Sequence, residues 1–208
     1  MVGQTIGKKL VELGHEVKMG SRTPMNEKAV TWSKEVGKGA SHGTFEEAAK
    51  FGEIVFNCTN GNGSLEALKA AGSKNLAGKI LIDVSNPLDF SKGFPPTLSV
   101  CNDDSLAERI QREFAEAKVV KTLNTVNCLL MVNPSLVPGE HDLFLSGNDS
   151  EAKSAVHKLL ESFGWRNIID LGDISTARGT EQLLPIWVRL MGLWKTPQFN
   201  FHIARASS

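Results

Sequence analysis

The sequence predicts an α/β fold in which a mostly parallel sheet carries helices on both faces. Two short apolar runs with strand character, at residues 53–58 and 79–84, each end in a polar turn. Segments with the 3.6-residue periodicity of amphipathic helices, such as residues 2–13 and 106–117, lie between runs of this kind. Repeated strand–helix–strand order is typical of parallel strands joined by crossover helices, which is the architecture of Rossmann-type domains.

In the first half of the chain, a helix is predicted at residues 2–13. Ile6, Leu10 and Leu13 fall on one face of it at spacings of four and three, and Gly14 ends it as a C-terminal cap. The remaining elements of this half are predicted, in chain order, as a strand at 16–19, helices at 27–36 and 45–50, a strand at 53–58 and a helix at 64–71.

The second half continues the alternation after the buried strand at 79–84. A helix is predicted at 175–191, in which Pro185 should produce a kink. The apolar–polar alternation of residues 199–204 predicts a final edge strand. The other elements are predicted as a helix at 106–117, strands at 119–123 and 141–146, a helix at 150–163 and a strand at 167–171.

Length and composition are those of an ordinary globular protein. The 208 residues have a formal net charge of zero, which gives no indication of a nucleic-acid or membrane partner. A charge near zero also produces little repulsion between copies of the chain, so a homodimer is possible. The three cysteines form no close-spaced pair, as expected in a reducing cytoplasm, and no apolar run approaches the roughly 18 residues of a membrane span. Because no linker divides the chain, we predict one domain at 1–208, with a core at about 1–125 and an α/β C-terminal extension at about 126–208.

Polar segments follow four of the predicted strands at the point where each strand ends. In open parallel sheets, ligands bind beyond the carboxyl ends of the strands. One such segment is most simply a turn, because Ser, Asn, Gly and Pro dominate turns for local reasons. Four of them at successive strand ends predict a cofactor site at one edge of the sheet. The residues concerned are Ser21 and Arg22; Thr59 and Asn60; Ser85, Asn86 and Pro87; and Asn124, Thr125, Val126 and Asn127.

The segment after the strand at 16–19 indicates which nucleotide would bind. A dinucleotide-binding fold that selects NAD usually has an acidic residue at this position to hold the ribose hydroxyls. This chain has Ser21 and Arg22 instead, with Lys28 a short distance further on. A hydroxyl, a planar guanidinium and a mobile ammonium suit a 2′-phosphate. These residues therefore favour a binding site for NADP(H). The alternative is that Arg22 and Lys28 are exposed side chains on a solvated turn and bind no ligand.

The sequence offers no convincing acid–base or nucleophilic group. Tyr is absent, the five histidines do not cluster, and no Ser–His–Asp or paired-carboxylate arrangement stands out. No catalytic or metal-binding residue is therefore assigned. Asp83, at a strand end, is predicted to accept hydrogen bonds from local backbone rather than to catalyse. Trp187 and Trp194 lie two helical turns apart and predict a core or dimer face, with a ring-stacking platform for a substrate as the alternative.

Six segments, in their order and spacing, resemble those of a known family. They are Val2-Gly3-Gln4, Gly14-His15-Glu16-Val17, Gly20-Ser21-Arg22, Asp83-Val84-Ser85-Asn86-Pro87, residues 119–126 and residues 192–205. With them the chain resembles, over essentially its whole length, the coenzyme F420-dependent NADP reductases and their bacterial relatives. The same dinucleotide-binding domain occurs in the STEAP metalloreductases.

The resemblance implies an NADP(H)-dependent reductase that acts on a small-molecule redox substrate. Hydride would pass directly between the nicotinamide and a flavin-like carrier, either the deazaflavin coenzyme F420 or a flavin. Such a reaction needs proximity and orientation more than a protein acid or base. A non-catalytic NADP(H)-binding sensor is the alternative, because the residues show no acid–base group.

The resemblance also assigns residues along the dinucleotide. It places the 2′-phosphate at Ser21, Arg22 and Lys28, the adenosine and ribose at Thr59 and Asn60, and the nicotinamide and second substrate at Val126, Asn127 and Cys128. Asn124 stands where some relatives carry His. For Cys128, a buried inert thiol is the alternative to a contact with the reactive ring.

The beginning of the sequence departs from the family pattern. Gly3 matches the third glycine of the Gly-x-Gly-x-x-Gly fingerprint, and Met1 and Val2 match the two residues before it. The first two glycines and the strand that precedes them are not in this sequence. That strand is central in the usual order 3-2-1-4-5-6. We therefore expect a gap in the sheet and weakened binding of the pyrophosphate, and we hypothesise that the natural chain begins upstream.

Overall fold

The computed structural model describes residues 1–206. Its strands are β1 (Val17–Ser21), β2 (Ala40–Thr44), β3 (Ile54–Asn57), β4 (Ile80–Asp83), β5 (Leu88–Asp89), β6 (Thr97–Leu98), β7 (Lys118–Thr122), β8 (Asp142–Gly147) and β9 (Asn167–Gly172). Its helices are α1 (Val2–Glu12), α2 (Glu27–Val36), α3 (Phe45–Phe51), α4 (Ser64–Ala71), α5 (Ser73–Leu76), α6 (Leu106–Glu113), α7 (Cys128–Val132), α8 (Ser150–Ser162), α9 (Ala177–Gln182) and α10 (Leu184–Trp194). Among the helices of residues 1–206, none combines the length and the apolar character needed to cross a bilayer.

The central sheet contains five strands in the order β3-β4-β7-β8-β9. All neighbouring pairs are parallel except β7 and β8, which are antiparallel. A separate parallel pair is formed by β1 and β2, and β5 and β6 form a short antiparallel ribbon. The predicted mostly parallel sheet with flanking helices is therefore confirmed.

Two apolar layers cover the two faces of the central sheet. Because side chains alternate along a strand, Ile54 and Phe56 of β3 face one layer and Val55 faces the other. The first layer contains Ile6 and Leu10 of α1 together with residues of α7 and α8. The second layer is built mainly from α4, α5 and α6. Burial of apolar surface thus holds helices on both faces.

The sheet is divided between β1 and β3. Within residues 1–206 these two strands pair only with β2 and β4, respectively, and a cavity of about 820 Å³ lies between them. Ile6 and Leu10 of α1 line one side of this cavity, and Ala48 of α3 and Leu68 of α4 line the other. The strand order of dinucleotide-binding folds places a central strand at this point.

Strand β2 has no counterpart among the predicted strands. Ser41, His42 and Gly43 give it neither the apolar run nor the alternation of a typical strand. It forms because its backbone pairs in parallel with β1 over the whole length of both strands. Tertiary pairing, rather than local preference, determines this strand.

The C-terminal part differs from the prediction in two ways. The helix predicted at 175–191 is divided at Leu183 into α9 and α10, so the chain breaks beside Pro185 rather than only bending there. Pro185 lies in the first turn of α10, where a missing N–H is tolerated. Residues 199–204 do not form an edge strand. The Asp142 N–H donates to the Phe201 carbonyl, but the Asn200 side chain supplies the next bond to Asp142, so no backbone ladder develops.

Candidate functional site

The polar segments predicted from the sequence leave the sheet at one edge. Strands β3, β4 and β7 are parallel neighbours, so the loops that follow them emerge side by side. Gly3, in the first turn of α1, lies between β1 and the end of β3. A Cβ on Gly3 would be in ordinary van der Waals contact, 3.7 Å from Met19 Sδ in β1 and 3.4 Å from the Cβ of Cys58, just beyond β3. The start of α1 therefore packs on both strands.

The end of β1 carries positive charge with no nearby counter-ion. Ser21 is the last residue of β1, and its hydroxyl donates to the Thr23 carbonyl at 2.5 Å, in a turn that leaves Arg22 exposed. Lys28, in the first turn of α2, lines the same cavity as Ser21. Within residues 1–206, neither Arg22 nor Lys28 is part of an ion pair. Both cations are therefore available to an anionic ligand.

The N-terminus of α1 offers free backbone donors beside these cations. The first hydrogen bond of the helix joins the Thr5 N–H to the Met1 carbonyl at 3.0 Å. The N–H groups of Val2, Gly3 and Gln4 consequently have no acceptor within the helix. This end of α1 lines the cavity that the end of β1 also lines. Free N–H groups and the helix dipole together favour an anion at this position.

The loops after β3, β4 and β7 are fixed to one another. Gly61 approaches Asn86 so closely that a Cβ on Gly61 would overlap the Asn86 carbonyl group, so only glycine fits there. Asn86 Nδ2 donates to the Asn124 carbonyl at 2.8 Å, and Asn124 Nδ2 donates to Asn86 Oδ1 at 3.0 Å. These contacts hold three of the predicted segments in one rigid arrangement.

A buried ion network lies behind these loops. Lys121 of β7, Asp83 of β4 and Glu181 of α9 are all buried from solvent. Lys121 Nζ lies 2.8 Å from Asp83 Oδ2 and 2.8 Å from Glu181 Oε1. Asp83 Oδ1 accepts from Asn57 Nδ2 at 2.8 Å, and Asn57 Oδ1 accepts from the Thr59 hydroxyl at 2.6 Å. A continuous chain of polar contacts therefore connects α9 to the candidate site.

The network contains two carboxylates and one ammonium, and backbone donors stabilise the excess negative charge. Burial alone would lower the pKa of the Lys121 ammonium, but the carboxylates of Asp83 and Glu181 outweigh burial and raise this pKa above its ordinary value. The second negative charge, on Glu181, is met by the N–H groups of Leu106 and Ala107 at 2.8 and 3.1 Å. These donors form the N-terminus of α6, where the helix dipole favours a carboxylate.

The network was missed by reasoning from the sequence. Asp83 does accept a local bond from the Ser85 N–H at 3.2 Å, as predicted, but it also forms the ion pair with Lys121. One signal was present: Lys121 interrupts an apolar strand of a parallel sheet that is covered on both faces. A lysine buried in such a strand requires a carboxylate partner.

The predicted site residues that follow β4 and β7 differ in exposure. Asn86 and Asn127 are half-buried, and the side chain of Asn127 caps α7 by accepting from the Leu129 N–H at 3.0 Å. Cys128 packs within the apolar layer that contains α1. The others are buried: Ser85, Pro87, Asn124, Thr125 and Val126. On the adenosine side, Thr59 is half-buried and Asn60 is exposed.

Neither a reactive thiol nor a metal cluster is found at the site. Desolvation, helped by the nearby Asp83 carboxylate, raises the pKa of the Cys58 thiol to about 12. The thiol is therefore protonated at neutral pH and is not a nucleophile. No group of three His, Cys, Asp or Glu residues in the described part of the chain is placed to hold a metal ion.

Proteins of related sequence carry reductase names. The profile of the family described as NADP oxidoreductase, coenzyme F420-dependent, matches residues 1–87. Over 146 residues the chain is 31% identical to the F420-dependent NADP reductase of Methanocaldococcus jannaschii, a match that covers 70% of this chain and 65% of that protein. Over 198 residues it is 29% identical to the metalloreductase STEAP3 of Rattus norvegicus, covering 93% of this chain and 36% of that protein. The chain thus spans less than two thirds of the length of either relative.

A solved structure of similar sequence has nearly the same fold. It is a crystal structure from Arthrobacter sp. FB24, described as that of a candidate F420-dependent NADP reductase, and it superimposes with a TM-score of 0.95. The two sequences are 52% identical, and the match covers 98% of this chain and 95% of that one.

Proposed function

Since the chain belongs to the family of coenzyme F420-dependent NADP oxidoreductases, we propose that it is an NADP(H)-dependent reductase. The proposed reaction is hydride transfer between C4 of the nicotinamide and a flavin-like carrier, either the deazaflavin coenzyme F420 or a flavin. The observation that carries the coenzyme assignment is that Ser21, the last residue of β1, lines the same cavity as Lys28 and the start of α1, with Arg22 exposed directly after Ser21.

The residues present fit the phosphates of NADP(H). In the proposed complex, Arg22 and Lys28 bind the 2′-phosphate, because they are cations without a carboxylate partner. The Ser21 hydroxyl becomes a third donor when it exchanges its hydrogen bond to the Thr23 carbonyl for one to the phosphate. The free N–H groups at the start of α1, including that of Gly3, bind the pyrophosphate. Thr59, already oriented by Asn57, lies with Asn60 beside the adenosine and ribose.

At the nicotinamide end, the proposed role of the protein is positioning. When bound, NADPH supplies the hydride, and the chain orients the ring and excludes water from it. Asn86 and Asn127 are the half-buried residues among the predicted site residues that follow β4 and β7. The surrounding wall is formed by buried residues, namely Ser85, Pro87, Asn124, Thr125, Val126 and Cys128. The Asn86–Asn124 pair keeps this wall rigid.

An acceptor panel tests the reaction. NADPH oxidation is followed with coenzyme F420, FMN, FAD or riboflavin, and without an acceptor, while NADPH binding is measured separately by calorimetry. We expect binding and acceptor-dependent oxidation with at least one carrier. Binding without turnover for every acceptor would instead identify an NADP(H) sensor, and absence of binding would contradict both functions.

We propose that α10 also forms the face of a homodimer. Leu193 is 71% exposed and Trp194 is 52% exposed, although the helix contains only one charged residue, Arg189. Trp187 and Trp194 both contact Phe199, with ring centroids 5.2 and 5.1 Å apart, but Trp187 is half-buried whereas Trp194 remains exposed. A second copy would cover the exposed apolar side chains. Sedimentation equilibrium should show a dimer that Leu193→Glu converts to a monomer; a wild-type monomer would contradict this face.

The proposed setting is the cytoplasm. All three cysteines are free, which suits a reducing compartment. The zero net charge gives no general attraction for nucleic acid, so we propose small redox molecules as the substrates.

A further inference from the structure

One carboxylate sets the direction of the hydrogen bonds behind the candidate site. Asp83 Oδ2 lies 2.8 Å from the Lys121 ammonium, and a carboxylate in such a pair can only accept hydrogen bonds. Asp83 Oδ1 accepts from Asn57 Nδ2 at 2.8 Å and from the Ser85 hydroxyl at 2.6 Å. The side-chain amide of Asn57 must therefore direct its nitrogen toward Asp83 and its oxygen away from it.

This orientation of Asn57 determines what the Thr59 hydroxyl can do. The Thr59 hydroxyl lies 2.6 Å from Asn57 Oδ1, an oxygen that can only accept. Because a hydroxyl has one proton and two lone pairs, this bond uses the only proton of Thr59. Ser64 Oγ lies 3.0 Å from Thr59 Oγ1, so any bond between these two hydroxyls runs from Ser64 to Thr59. The Thr59 oxygen is left with a lone pair, and with no proton, for a ligand.

Thr59 is the member of this network that a ligand can reach. Asn57, Ser64 and Ser85 are buried, whereas Thr59 is half-buried and borders the same cavity as Lys28. An ionised phosphate oxygen has no proton to donate, so it would meet the lone pair of Thr59 without forming a hydrogen bond. A ribose hydroxyl can donate a proton to this oxygen. The loop after β3 therefore suits a sugar, whereas the cations beside β1 suit phosphates.

We propose that Thr59 recognises a ribose hydroxyl of the coenzyme by accepting a hydrogen bond from it, and that Asp83 is the positioning residue that fixes this direction through Asn57. The inference rests on the proposed function and deepens it, because it gives a role to a buried residue that the coenzyme does not touch. Lys121 supplies the counter-ion of this buried carboxylate. A ligand that cannot donate at this point leaves the Thr59 lone pair without a partner, and its affinity is lower for that reason.

Calorimetric binding of NADPH analogues to the full chain tests the direction of this bond. The probes are NADPH and analogues in which fluorine replaces one free ribose hydroxyl: the adenosine 3′-hydroxyl, or the 2′- or 3′-hydroxyl of the nicotinamide riboside. Fluorine is close to a hydroxyl in size and carries lone pairs, but it cannot donate. We expect one analogue to bind the wild type at least about tenfold more weakly than NADPH.

Thr59 variants identify the source of that difference. The sensitive analogue and NADPH should bind Thr59→Val with affinities within about twofold of each other, whereas Thr59→Ser should retain the wild-type difference. If every analogue bound the wild type as well as NADPH does, or if the difference persisted in Thr59→Val, the proposal would be overturned. Absence of any NADPH binding would contradict the proposed function, and this inference with it.

Asp83→Asn tests the positioning role. The new amide turns its oxygen to the Lys121 ammonium, which only donates, and its nitrogen to Asn57. Asn57 then turns its own nitrogen toward Thr59, whose proton becomes free to point at the ligand. We expect this variant to bind the sensitive analogue and NADPH within about twofold of each other, since fluorine can accept.

Asp149→Asn, which removes a carboxylate from a half-exposed ion pair, is the control and should retain the wild-type difference between the sensitive analogue and NADPH. A difference that persisted undiminished in Asp83→Asn would contradict the role of Asp83. The comparison of the wild type with Thr59→Val and Thr59→Ser decides alone if Asp83→Asn fails to fold.

Discussion

The ammonium of Lys121 lies 2.8 Å from the carboxylate of Asp83 in the middle of the sheet, and neither group is exposed to solvent. The pair joins β4 to β7 directly behind the loops that carry the candidate site. Asn57 extends the connection from Asp83 to Thr59. The edge at which a nucleotide is proposed to bind is thus held from the core of the protein. Such support is what a site needs when it acts by positioning.

Lys121→Met tests this support. The substitution retains side-chain length but leaves Asp83 and Glu181 buried without their counter-ion, so we expect a loss of about 3–5 kcal/mol in the free energy of unfolding. Urea denaturation measures it. Lys118→Met in the same strand removes a half-exposed pair with Asp149 and should destabilise the protein much less, because solvent screens such a pair. Equal losses of unfolding free energy in Lys121→Met and Lys118→Met would show that the buried network stabilises the protein no more than an exposed ion pair does.

Gly61→Ala tests the contact between two loops of the site. The added Cβ would displace the Asn86 carbonyl, and we expect a loss of about 1–3 kcal/mol in the free energy of unfolding together with weaker NADPH binding. Gly63→Ala is the matched control, because a Cβ there has open space. Thermal unfolding and NADPH titration measure both effects. If the two variants behaved alike, the close approach would have no consequence.

Acid should remove one stabilising ion pair. The Arg178 guanidinium, which donates to Glu108 at 2.9 Å, holds the pKa of the Glu108 carboxyl below its ordinary value of 4.5. Because this pKa is depressed in the folded state, its contribution is complete above about pH 4.5 and is lost as pH falls through the folded-state value. At neutral pH, Glu108→Gln should lower the free energy of unfolding by about 1 kcal/mol.

The difference in the free energy of unfolding between the wild type and Glu108→Gln should shrink as the pH falls below 4.5. Urea denaturation of both proteins across the acid range measures it, with Glu113→Gln as a surface control. A difference that stayed constant into strong acid would show that the ionised Glu108 carboxylate is not its source.

Much of the fold follows from local sequence. The run at residues 79–84 has the continuous apolar character of a strand covered on both faces, and the helix at 27–36 was predicted with its observed bounds. Strand β2 could not be predicted, because pairing with β1 and not its own residues determines it. Pro185 predicts a disturbed helix, but whether the helix bends or divides depends on packing, and here it divides into α9 and α10.

The site was predictable only in part. Chain order correctly predicted that Ser21 ends a strand and that the loops after β3, β4 and β7 share one edge of the sheet. Binding of NADP(H) by these residues stays a prediction. The Lys121–Asp83–Glu181 network joins residues far apart in sequence, and no local pattern predicts which lysine meets which carboxylate.

The central claim is that Arg22 selects NADP(H), and calorimetric binding of NADPH and NADH to the wild type and to Arg22→Ala tests it most directly. The wild type should prefer NADPH, and Arg22→Ala should weaken NADPH binding about 10–100-fold, as expected for loss of charge-assisted hydrogen bonds. NADH binding should change by less than about twofold, because NADH lacks the 2′-phosphate. Arg166→Ala, an exposed arginine just before β9, should leave both unchanged. Equal wild-type affinity for the two coenzymes, or equal weakening of both by Arg22→Ala, would contradict the account.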